Sequence, residues 1–528
     1  MTVRILVAEP LAASGADALR PAGEVESGAG WSRDQLLARI GEFDALVVRS
    51  ATVVDAELLG RATGLRVIGR AGVGVDNVDV DEATRRGIVV CNAPESNAVS
   101  AAEHTIALML ALARNLPQAH AALIAGRWER AQHAGVEVAD KTLGLIGFGR
   151  IGQLVATRAR GLSMRVLAFD PFVTRERYRE LGVAQAASVD EVLHHADVVS
   201  LHTPLTPETR HLIDEAAIAQ MRPGARLVNA ARGGLVDVDA VAAALKEGRL
   251  AGAAIDVFEQ EPITSSPLFG LANVVVTPHL AASTREAQDR AGVIVAEQVV
   301  AALGGASPRH ALNIPFVDDE EMAVLAPFLL LARKLGRLAF ALAIGPIERI
   351  EVATAGQLAG RDTRLLTLEA LAGAFAGVVE DVNIVNARAV AAEHGIEVRE
   401  QRREGAADYT NLLAVTARNG DEVTVVGTTL GADGRAWLVG AYGHSVEVEL
   451  APRMLVVRNA DVPGMVGRIG TALGEAGVNI ANMNLSRTPG RDDALMVLSI
   501  DSDPPEELLD TLSAADGVIG RPRFIRLP

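Results

Sequence analysis

The sequence predicts a multidomain α/β protein, in which two domains built on parallel sheets are followed by an α+β domain and a small ferredoxin-like domain. The chain has 528 residues, which is too many for one hydrophobic core. Up to about residue 280, short apolar runs alternate with helical patterns, as parallel sheets require. Residues 453–528 follow the order strand, helix, strand, strand, helix, strand, which is the split βαβ arrangement.

The first two predicted domains are joined by a long helix. Apolar runs in residues 1–97 predict a parallel sheet, and an apolar-faced helix over 98–114 then leads into the second domain, which extends to residue 281. A further helix over 286–303 precedes a stretch rich in Gly and Pro, residues 304–315, which marks a domain boundary.

A glycine-rich turn in the second domain predicts a Rossmann-like, NAD-binding site. Gly147 permits the tight turn from strand to helix, Gly149 lets a pyrophosphate approach bare backbone, and Gly152 lets the helix pack close to the sheet. Asp170 ends the next strand, where a carboxylate accepts from both ribose hydroxyls and repels a 2′-phosphate. This pairing selects NAD over NADP.

Three polar side chains follow later strands of the same domain. Arg232, Glu261 and His279 each stand shortly after an apolar strand, and the carboxyl ends of parallel strands build the site in an open α/β sheet. A guanidinium grips a carboxylate with two hydrogen bonds, and a histidine beside a carboxylate transfers protons near neutrality. With NAD, the set predicts a 2-hydroxy acid dehydrogenase: Arg232 holds the substrate, His279 exchanges the proton and Glu261 orients His279.

Composition excludes several other classes. The net charge of −16 argues against nucleic acid or an anionic membrane as a partner. Cys91 is the only cysteine, so no disulfide framework and no metal site is expected. The most apolar window, 322–344, is interrupted by Arg333, Lys334 and Arg337, and no targeting signal precedes the first strand. We therefore expect a cytoplasmic protein without a membrane span.

The last two domains carry less chemistry. Residues 316–450 predict helices followed by a β-rich stretch, 412–450, with hairpin turns at Asn419-Gly420 and Asp433-Gly434, but no chemical motif. Residues 453–528 contain two loop sequences, Asp461-Val462-Pro463-Gly464 and Gly477-Val478-Asn479.

Together these motifs resemble the D-isomer-specific 2-hydroxyacid dehydrogenases, and the resemblance covers residues 1 to about 310. It implies the catalytic set Arg232, Glu261 and His279, and a substrate-binding domain formed by residues 1–97 and 282–310. Besides the three glycines and Asp170, it implies NAD contacts at Arg150, Ile151, Thr203, Ala230, Ala231, Asp256, Ala281 and Ala282.

The complete architecture resembles the long members of that family, which carry an intervening domain and a C-terminal ACT domain. They oxidise 3-phosphoglycerate to 3-phosphohydroxypyruvate in the first step of serine synthesis. The resemblance implies a homo-oligomer, as a tetramer, and L-serine as an effector held by Asp461 and Asn479 between paired ACT domains. Residues suited to the phosphorylated substrate are Arg49, Ser50, Arg70, Gly72 and Asn97.

Two other functions remain open at this stage. The chain could be a related dehydrogenase acting on an unphosphorylated acid such as glycerate or glyoxylate, which the arginines and the C-terminal extension disfavour. It could also be an NAD-sensing corepressor that binds partners instead of turning over metabolites, although such proteins carry no ACT domain. Loss of activity on removing the substrate phosphate discriminates the first alternative, and turnover without a partner discriminates the second.

Overall fold

Five short parallel strands form the first sheet. The strands are β1 (Arg4–Val7), β2 (Glu24–Ser27), β3 (Ala45–Val48), β4 (Val67–Arg70) and β5 (Val89–Cys91). Four helices connect them: α1 (Ala13–Leu19), α2 (Arg33–Arg39), α3 (Ala56–Arg61) and α4 (Val80–Arg85). The order across the sheet is β2-β1-β3-β4-β5. The structure is a computed structural model that describes residues 2–431, 433–488 and 490–528.

The second sheet has seven parallel strands. They are β6 (Thr142–Ile146), β7 (Arg165–Phe169), β8 (Ala184–Gln185), β9 (Val198–Leu201), β10 (Ala225–Asn229), β11 (Leu250–Ile255) and β12 (Val274–Val276). Its helices are α5 (Ala98–Ala113), α6 (Leu116–Ile124), α7 (Arg150–Gly161), α8 (Arg175–Glu180), α9 (Val189–His195), α10 (Glu215–Gln220) and α11 (Val238–Lys246). The order β12-β11-β10-β9-β6-β7-β8 places β10, β11 and β12 side by side.

A long helix then returns to the first sheet. This helix, α12 (Arg285–Leu303), packs against α1 and β4. Gly69 in β4 makes the close approach possible, because a Cβ there would lie 2.7 Å from the side chains of Val295 and Val299. The chain therefore passes between the two sheets twice, through α5 and at the start of α12.

The third sheet is mixed and has six strands. Its helices are α13 (Asp319–Leu342), α14 (Arg364–Phe375) and α15 (Ala387–Glu393). Its strands are β13 (Arg349–Gly356), β14 (Glu397–Arg403), β15 (Asn411–Arg418), β16 (Glu422–Leu430), β17 (Arg435–Ala441) and β18 (His444–Glu449). The order is β14-β13-β15-β16-β17-β18, with β13 and β14 parallel and the other pairs antiparallel.

The fourth sheet is antiparallel, in the order β20-β21-β19-β22, and two helices cover one face. Its elements are β19 (Arg453–Ala460), α16 (Met465–Glu475), β20 (Ile480–Arg487), β21 (Asp493–Ile500), α17 (Glu506–Ala514) and β22 (Arg523–Arg526). The predicted ferredoxin-like arrangement is confirmed. The last strand is shorter than the predicted span 518–526, because Gly520 adopts a positive φ and Pro522 cannot donate a ladder hydrogen bond.

The two faces of the fourth sheet belong to different hydrophobic cores. Leu455 and Val457 of β19 pack under the helices α16 and α17. The alternate residues Met454 and Val456 join the core around α13 and the third sheet. The third and fourth sheets therefore share one continuous apolar core, as the period of two in β19 allows.

The longest helix of the chain, α13, is a core helix. Lys334 is buried within it and donates to the carbonyl of Leu450 at 2.6 Å, and burial lowers the pKa of this lysine. Among the residues that the structure describes, no helix combines the length and the apolarity needed to cross a bilayer. Instead, α13 crosses α14 at two glycines: a Cβ at Gly336 would lie 1.8 Å from the carbonyl oxygen of Ala370, and a Cβ at Gly373 would lie 1.9 Å from that of Arg333.

We expect Gly336→Ala to lower the free energy of unfolding of the third sheet and its helices by about 1–3 kcal/mol, because the added methyl forces the backbones of α13 and α14 apart. Differential scanning calorimetry of the full chain measures the change as a lower Tm of one transition. The matched control is Gly474→Ala in α16, where nothing lies within 4 Å of the new Cβ and the helical backbone favours alanine. Equal Tm values for the two variants would contradict the tight crossing.

Candidate active site

A histidine and a glutamate are in direct contact at the carboxyl edge of the second sheet. His279 Nδ1 lies 2.6 Å from Glu261 Oε2, and Glu261 Oε1 accepts from the backbone N–H of Phe258 at 2.9 Å. The hydrogen bond to Glu261 raises the pKa of His279. Burial opposes ionisation of Glu261, but the hydrogen bonds from His279 and Phe258 outweigh it, and the pKa of Glu261 is lowered. The pair is therefore an imidazole held by a carboxylate, with Nε2 left to face a reactant.

Arg232 reaches the same region from the end of β10. Asn229 is fully buried and shapes the turn: its side chain accepts from the N–H of Ala231 at 3.1 Å and donates to the carbonyl of Arg232 at 2.9 Å. The Arg232 guanidinium then points towards the first sheet, with Nε 3.7 Å from Asp76 Oδ2. Its charge also opposes protonation of His279 and so acts to lower the pKa of that ring. The three side chains predicted as the catalytic set are thus brought to one edge of the sheet.

Two more arginines face Arg232 from the first sheet. Burial lowers the pKa of Arg70, and the positive charges of Arg232 and Arg49 lower it further, while Asp76 and Glu9 oppose them. The Nε of Arg70 is buried without a hydrogen-bond partner among the described residues. Gly72 makes room for this side chain, because a Cβ there would overlap the Arg70 Nη1 atom. Guanidinium groups gathered in this way provide a site for an anionic reactant.

The loop that carries Arg49 and Ser50 is shaped by Glu9. The Glu9 carboxylate accepts from the backbone N–H groups of Arg49 and Thr52 at 2.9 Å and of Ala51 at 3.2 Å. These N–H groups are already satisfied, so an anion at this loop is left with the Arg49 guanidinium and the exposed Ser50. Glu9 was missed in the sequence, because it follows β1 by only two residues and has no motif around it.

A cavity of about 510 Å³ lies between this loop and the start of α12. Arg49 lines it together with Arg285, an exposed arginine at the first position of α12. Arg285 was not among the predicted site residues, since an arginine in the first helical turn resembles an ordinary surface charge. Asn97, another predicted substrate residue, is the N-cap of α5 at the junction of the two sheets.

The glycine-rich turn forms a cleft suited to a dinucleotide. Gly147 has φ +96°, and a Cβ there would lie 2.5 Å from the carbonyl oxygen of His202. A Cβ at Gly149 would meet nothing within 4 Å, so the first turn of α7 presents free backbone. The side-chain oxygen of Thr203 is buried in the adjacent loop without a partner among the residues that the structure describes. Burial also lowers the pKa of His202 to about 4, so this ring is neutral.

Asp170 and Arg150 flank the cleft. The two oxygens of Asp170 accept from the backbone N–H groups of Phe148 and Phe172 at 2.8 and 2.9 Å, which fixes the carboxylate beside the glycine turn. Arg150 pairs with Glu95 at 2.7 Å, and both side chains are mainly exposed. An exposed ion pair of this kind breaks at little cost in free energy, so Arg150 can leave Glu95 and bind a phosphate.

The remaining predicted cofactor residues line the ends of strands or helices. Ile151 lies in the first turn of α7, and Ala230 and Ala231 follow β10. The N–H of Ala281 is already used, since it donates to Asp256 Oδ2 at 3.0 Å. The Asp256 carboxylate is fully buried and accepts hydrogen bonds from groups of the protein itself. In this structure Asp256 therefore contacts the loop that carries His279.

The predicted effector residues lie at opposite ends of the fourth sheet. Asp461 accepts from Arg487 Nε at 2.8 Å and lines a cavity of about 270 Å³ beside Pro463 and Gly464. Asn479 donates to Asp501 at 2.7 Å, at the other end of β20. The length of β20 separates the two ends by roughly 20 Å. One chain does not bring the two residues together.

The sequence matches the models of three known domain families along its length. They are the NAD binding domain of D-isomer specific 2-hydroxyacid dehydrogenases over residues 106–281, the D-3-phosphoglycerate dehydrogenase intervening domain over 324–440 and the ACT domain over 453–517. A protein of Archaeoglobus fulgidus named D-3-phosphoglycerate dehydrogenase is 42% identical over 98% of this chain and 99% of its own length. One of Mycobacterium tuberculosis with the same name is 45% identical over 97% of each chain.

Solved structures resemble about three fifths of the chain. The TT0316 protein of Thermus thermophilus has a TM-score of 0.54 at 38% identity, and the match covers 59% of this chain and 100% of that protein. A glyoxylate reductase of Paecilomyes thermophila has a TM-score of 0.54 at 28% identity, and the match covers 59% of this chain and 98% of that protein.

We expect Glu261→Gln to lower the pKa of His279, because the amide no longer stabilises the charged imidazole. A raised pKa keeps the ring protonated to higher pH, so the variant should lose this proton at lower pH than the wild type. NMR titration of histidine-labelled protein measures it, with the signal assigned by its loss in His279→Asn. Glu259→Gln is the matched control, since Glu259 pairs with Arg210 and His211 instead. An unchanged titration in Glu261→Gln would contradict the assignment.

Proposed function

The chain belongs to the D-3-phosphoglycerate dehydrogenase family, and from that premise we propose that it oxidises 3-phospho-D-glycerate to 3-phosphohydroxypyruvate with NAD, the first step of L-serine synthesis. The observation that carries this proposal is the 2.6 Å contact between Glu261 and the ring of His279, whose pKa the nearby Arg232 also influences. The similarity over 97–99% of the relatives' lengths supports the same activity.

The three catalytic residues have distinct roles. Arg232 holds the α-carboxylate and polarises the oxygen on C2. His279 accepts the proton of the C2 hydroxyl on Nε2. NAD, when bound, would supply the acceptor for the hydride on C2. Glu261 orients the ring through Nδ1 and stabilises the imidazolium that forms. In the reverse direction the same histidine donates the proton to the carbonyl oxygen.

The carboxyl edge of the second sheet would hold NAD. The backbone of Gly149, Arg150 and Ile151 at the start of α7 would bind the pyrophosphate, and Asp170 would bind the adenine ribose. The hydroxyl of Thr203, which lacks a partner among the described residues, is available for a polar contact from the adjacent loop. The position of Asp170 favours NAD over NADP, because its carboxylate repels a 2′-phosphate. The nicotinamide end of the site would be completed by Ala230, Ala231, Asp256, Ala281 and Ala282. Asp256 contributes indirectly, by holding the loop that carries His279.

The substrate phosphate lies between the two sheets. Arg49 and Arg70 provide the positive charge that binds the phosphate, and Gly72 leaves room for the Arg70 side chain. Ser50 and Asn97 are hydrogen-bonding neighbours. The substrate-binding domain is then residues 1–97 with 282–310, and residues 98–281 are the NAD-binding domain. Residues 316–450 and 453–528 form the intervening and ACT domains.

Homo-oligomers, and specifically a tetramer, complete the proposal, together with a cytoplasmic location. Large apolar side chains on and after α6 are exposed, among them Ile124 at 74% and Trp128 at 82%. Val462 and Leu485 are exposed beside the ACT cavity. Apolar groups in such positions mark contact surfaces. Paired ACT domains would also bring Asn479 of one copy towards Asp461 of another, and so complete a site for L-serine.

We expect Arg49→Ala to raise the KM for 3-phosphohydroxypyruvate by about 10–100-fold, the effect of one lost charge-assisted hydrogen bond. The KM for hydroxypyruvate, which lacks the phosphate, should change little. NADH oxidation by the full chain, followed through its absorbance for both substrates, measures the difference. Equal changes in the two KM values would remove Arg49 from the phosphate site.

The same assay tests the activity itself. His279→Ala should lower kcat by about 10²–10⁴-fold, as for other general acid–base groups, and His195→Ala, on the exposed end of α9, is the control. Faster turnover of hydroxypyruvate or glyoxylate than of the phosphorylated substrate would favour the unphosphorylated-acid dehydrogenase. The absence of turnover with any 2-oxo acid would favour a binding protein of the corepressor type.

We expect L-serine to inhibit the reaction and Asp461→Ala to raise the serine concentration needed for half-inhibition at least about tenfold, since a charged hydrogen bond to the amino group is lost. Titration of wild type and variant with L-serine in the same assay measures it. Asp492→Ala, a neighbouring acidic residue that does not line the cavity, is the control. Equal serine sensitivity of the Asp461 variant and wild type would remove Asp461 from the site.

A further inference from the structure

The loop that carries His279 is held in an uncommon conformation by one residue. His279 has φ +54°, in the left-handed region, and its N–H donates to the backbone carbonyl of Asp256 at 2.8 Å. The next two N–H groups, of Leu280 and Ala281, donate to the Asp256 carboxylate at 2.8 and 3.0 Å. Non-glycine residues keep such a backbone only where their surroundings fix it. Asp256 therefore fixes the backbone from which the His279 ring extends towards Glu261.

Two side chains complete the hydrogen bonds of this carboxylate. Thr277 Oγ1 lies 2.5 Å and His104 Nε2 lies 3.1 Å from Asp256 Oδ1, and His104 Nε2 is also 3.2 Å from Thr277 Oγ1. Burial raises the pKa of Asp256, but these hydrogen bonds outweigh the effect and the pKa is lowered. Thr277, Leu280 and Ala281 belong to the loop itself, whereas His104 reaches the carboxylate from α5.

The same face of α5 also contacts the start of α12. Ser100, one helical turn before His104, has its Oγ 2.7 Å from Thr284 Oγ1. Thr284 is the N-cap of α12 and accepts from the N–H of Ala287 at 3.2 Å. Because α12 packs on the first sheet, this face of α5 touches both the catalytic loop and the chain's return to the substrate-binding side.

We infer that His104 is a positioning residue, which holds the Asp256 carboxylate and thereby keeps His279 aligned with Glu261 while linking the loop to the helix between the two sheets. This inference rests on the proposed function. The sequence alone gives His104 no role, because a histidine within an apolar-faced helix carries no motif. Its contact with the carboxylate that holds the catalytic loop gives it a role in the reaction.

Substitution of His104 in the full chain separates positioning from folding. His104→Leu removes the donor and should lower kcat for 3-phosphohydroxypyruvate reduction at least about tenfold, while the KM values for substrate and NADH stay within about threefold. His104→Gln places an amide N–H near the position of Nε2 and should recover kcat to within about threefold of wild type. His195→Leu, the same change on an exposed helix end, should have no effect.

A second series keeps the test decisive if His104→Leu does not fold. His104→Asn retains polarity but has a shorter reach, and it should lose kcat as the leucine variant does. Combined with Thr277→Val, which removes the other side-chain donor, it should lose less than the product of the two single effects, since both act on one carboxylate. Multiplicative losses, equal defects in the Gln and Asn variants, or kcat within about twofold of wild type in His104→Asn would overturn the inference.

Activity of the wild type separates failure of the proposed substrate from failure of the positioning role of His104. A wild-type chain that does not reduce 3-phosphohydroxypyruvate overturns the proposed substrate. In that case the His104 variants are compared on the 2-oxo acid that the wild type does reduce, so the positioning role is judged by its own result.

Discussion

The site depends on the adjacency of three parallel strands. Because β10, β11 and β12 are neighbours and run in one direction, the loops after them leave the sheet at the same edge. Arg232 and Glu261 are 29 residues apart in sequence, and Glu261 and His279 are 18 residues apart. The adjacency of the strands nevertheless brings all three to one edge of the sheet. Asp256, directly after β11, then reaches sideways to the loop after β12. A slip in the register of either pair would separate the charges on which proton transfer depends.

A second constraint is electrostatic. Arg49, Arg70 and Arg232 face one another in a chain whose net charge is −16, so the positive potential is local. Burial of Arg70 and repulsion from the other two arginines make its charge costly without an anion, and the acidic neighbours Glu9 and Asp76 offset only part of that cost. A substrate with a carboxylate at one end and a phosphate at the other matches this separation of charges between the two sheets better than a monoanion does.

The sequence predicted the fold class because the fold depends on local signals, namely apolar runs and glycine spacing. It also located Arg232, Glu261 and His279 after strands, which is why these candidates lie at one edge of the sheet. The edge strands β2 and β14 are not marked by apolar runs, because their charged residues suit an edge strand but do not alternate with apolar ones. The contacts of Glu9 and His104 also carry no local signal, because they join residues 40 and 152 positions apart. The separation of Asp461 from Asn479 was likewise invisible, since sequence gives loops but not the end of the sheet at which each lies.

The shared core between the third and fourth sheets limits how an effector can act. Met454, Val456 and their neighbours in β21 and β22 pack into the same core as α13. Sliding the fourth sheet over the third would expose this apolar surface, at about 25 cal/mol for each Å². The intervening and ACT domains are therefore expected to move as one body. That body touches the first sheet through polar contacts such as Asn383 Nδ2 to the carbonyl of Gly87 at 3.0 Å, which water can replace.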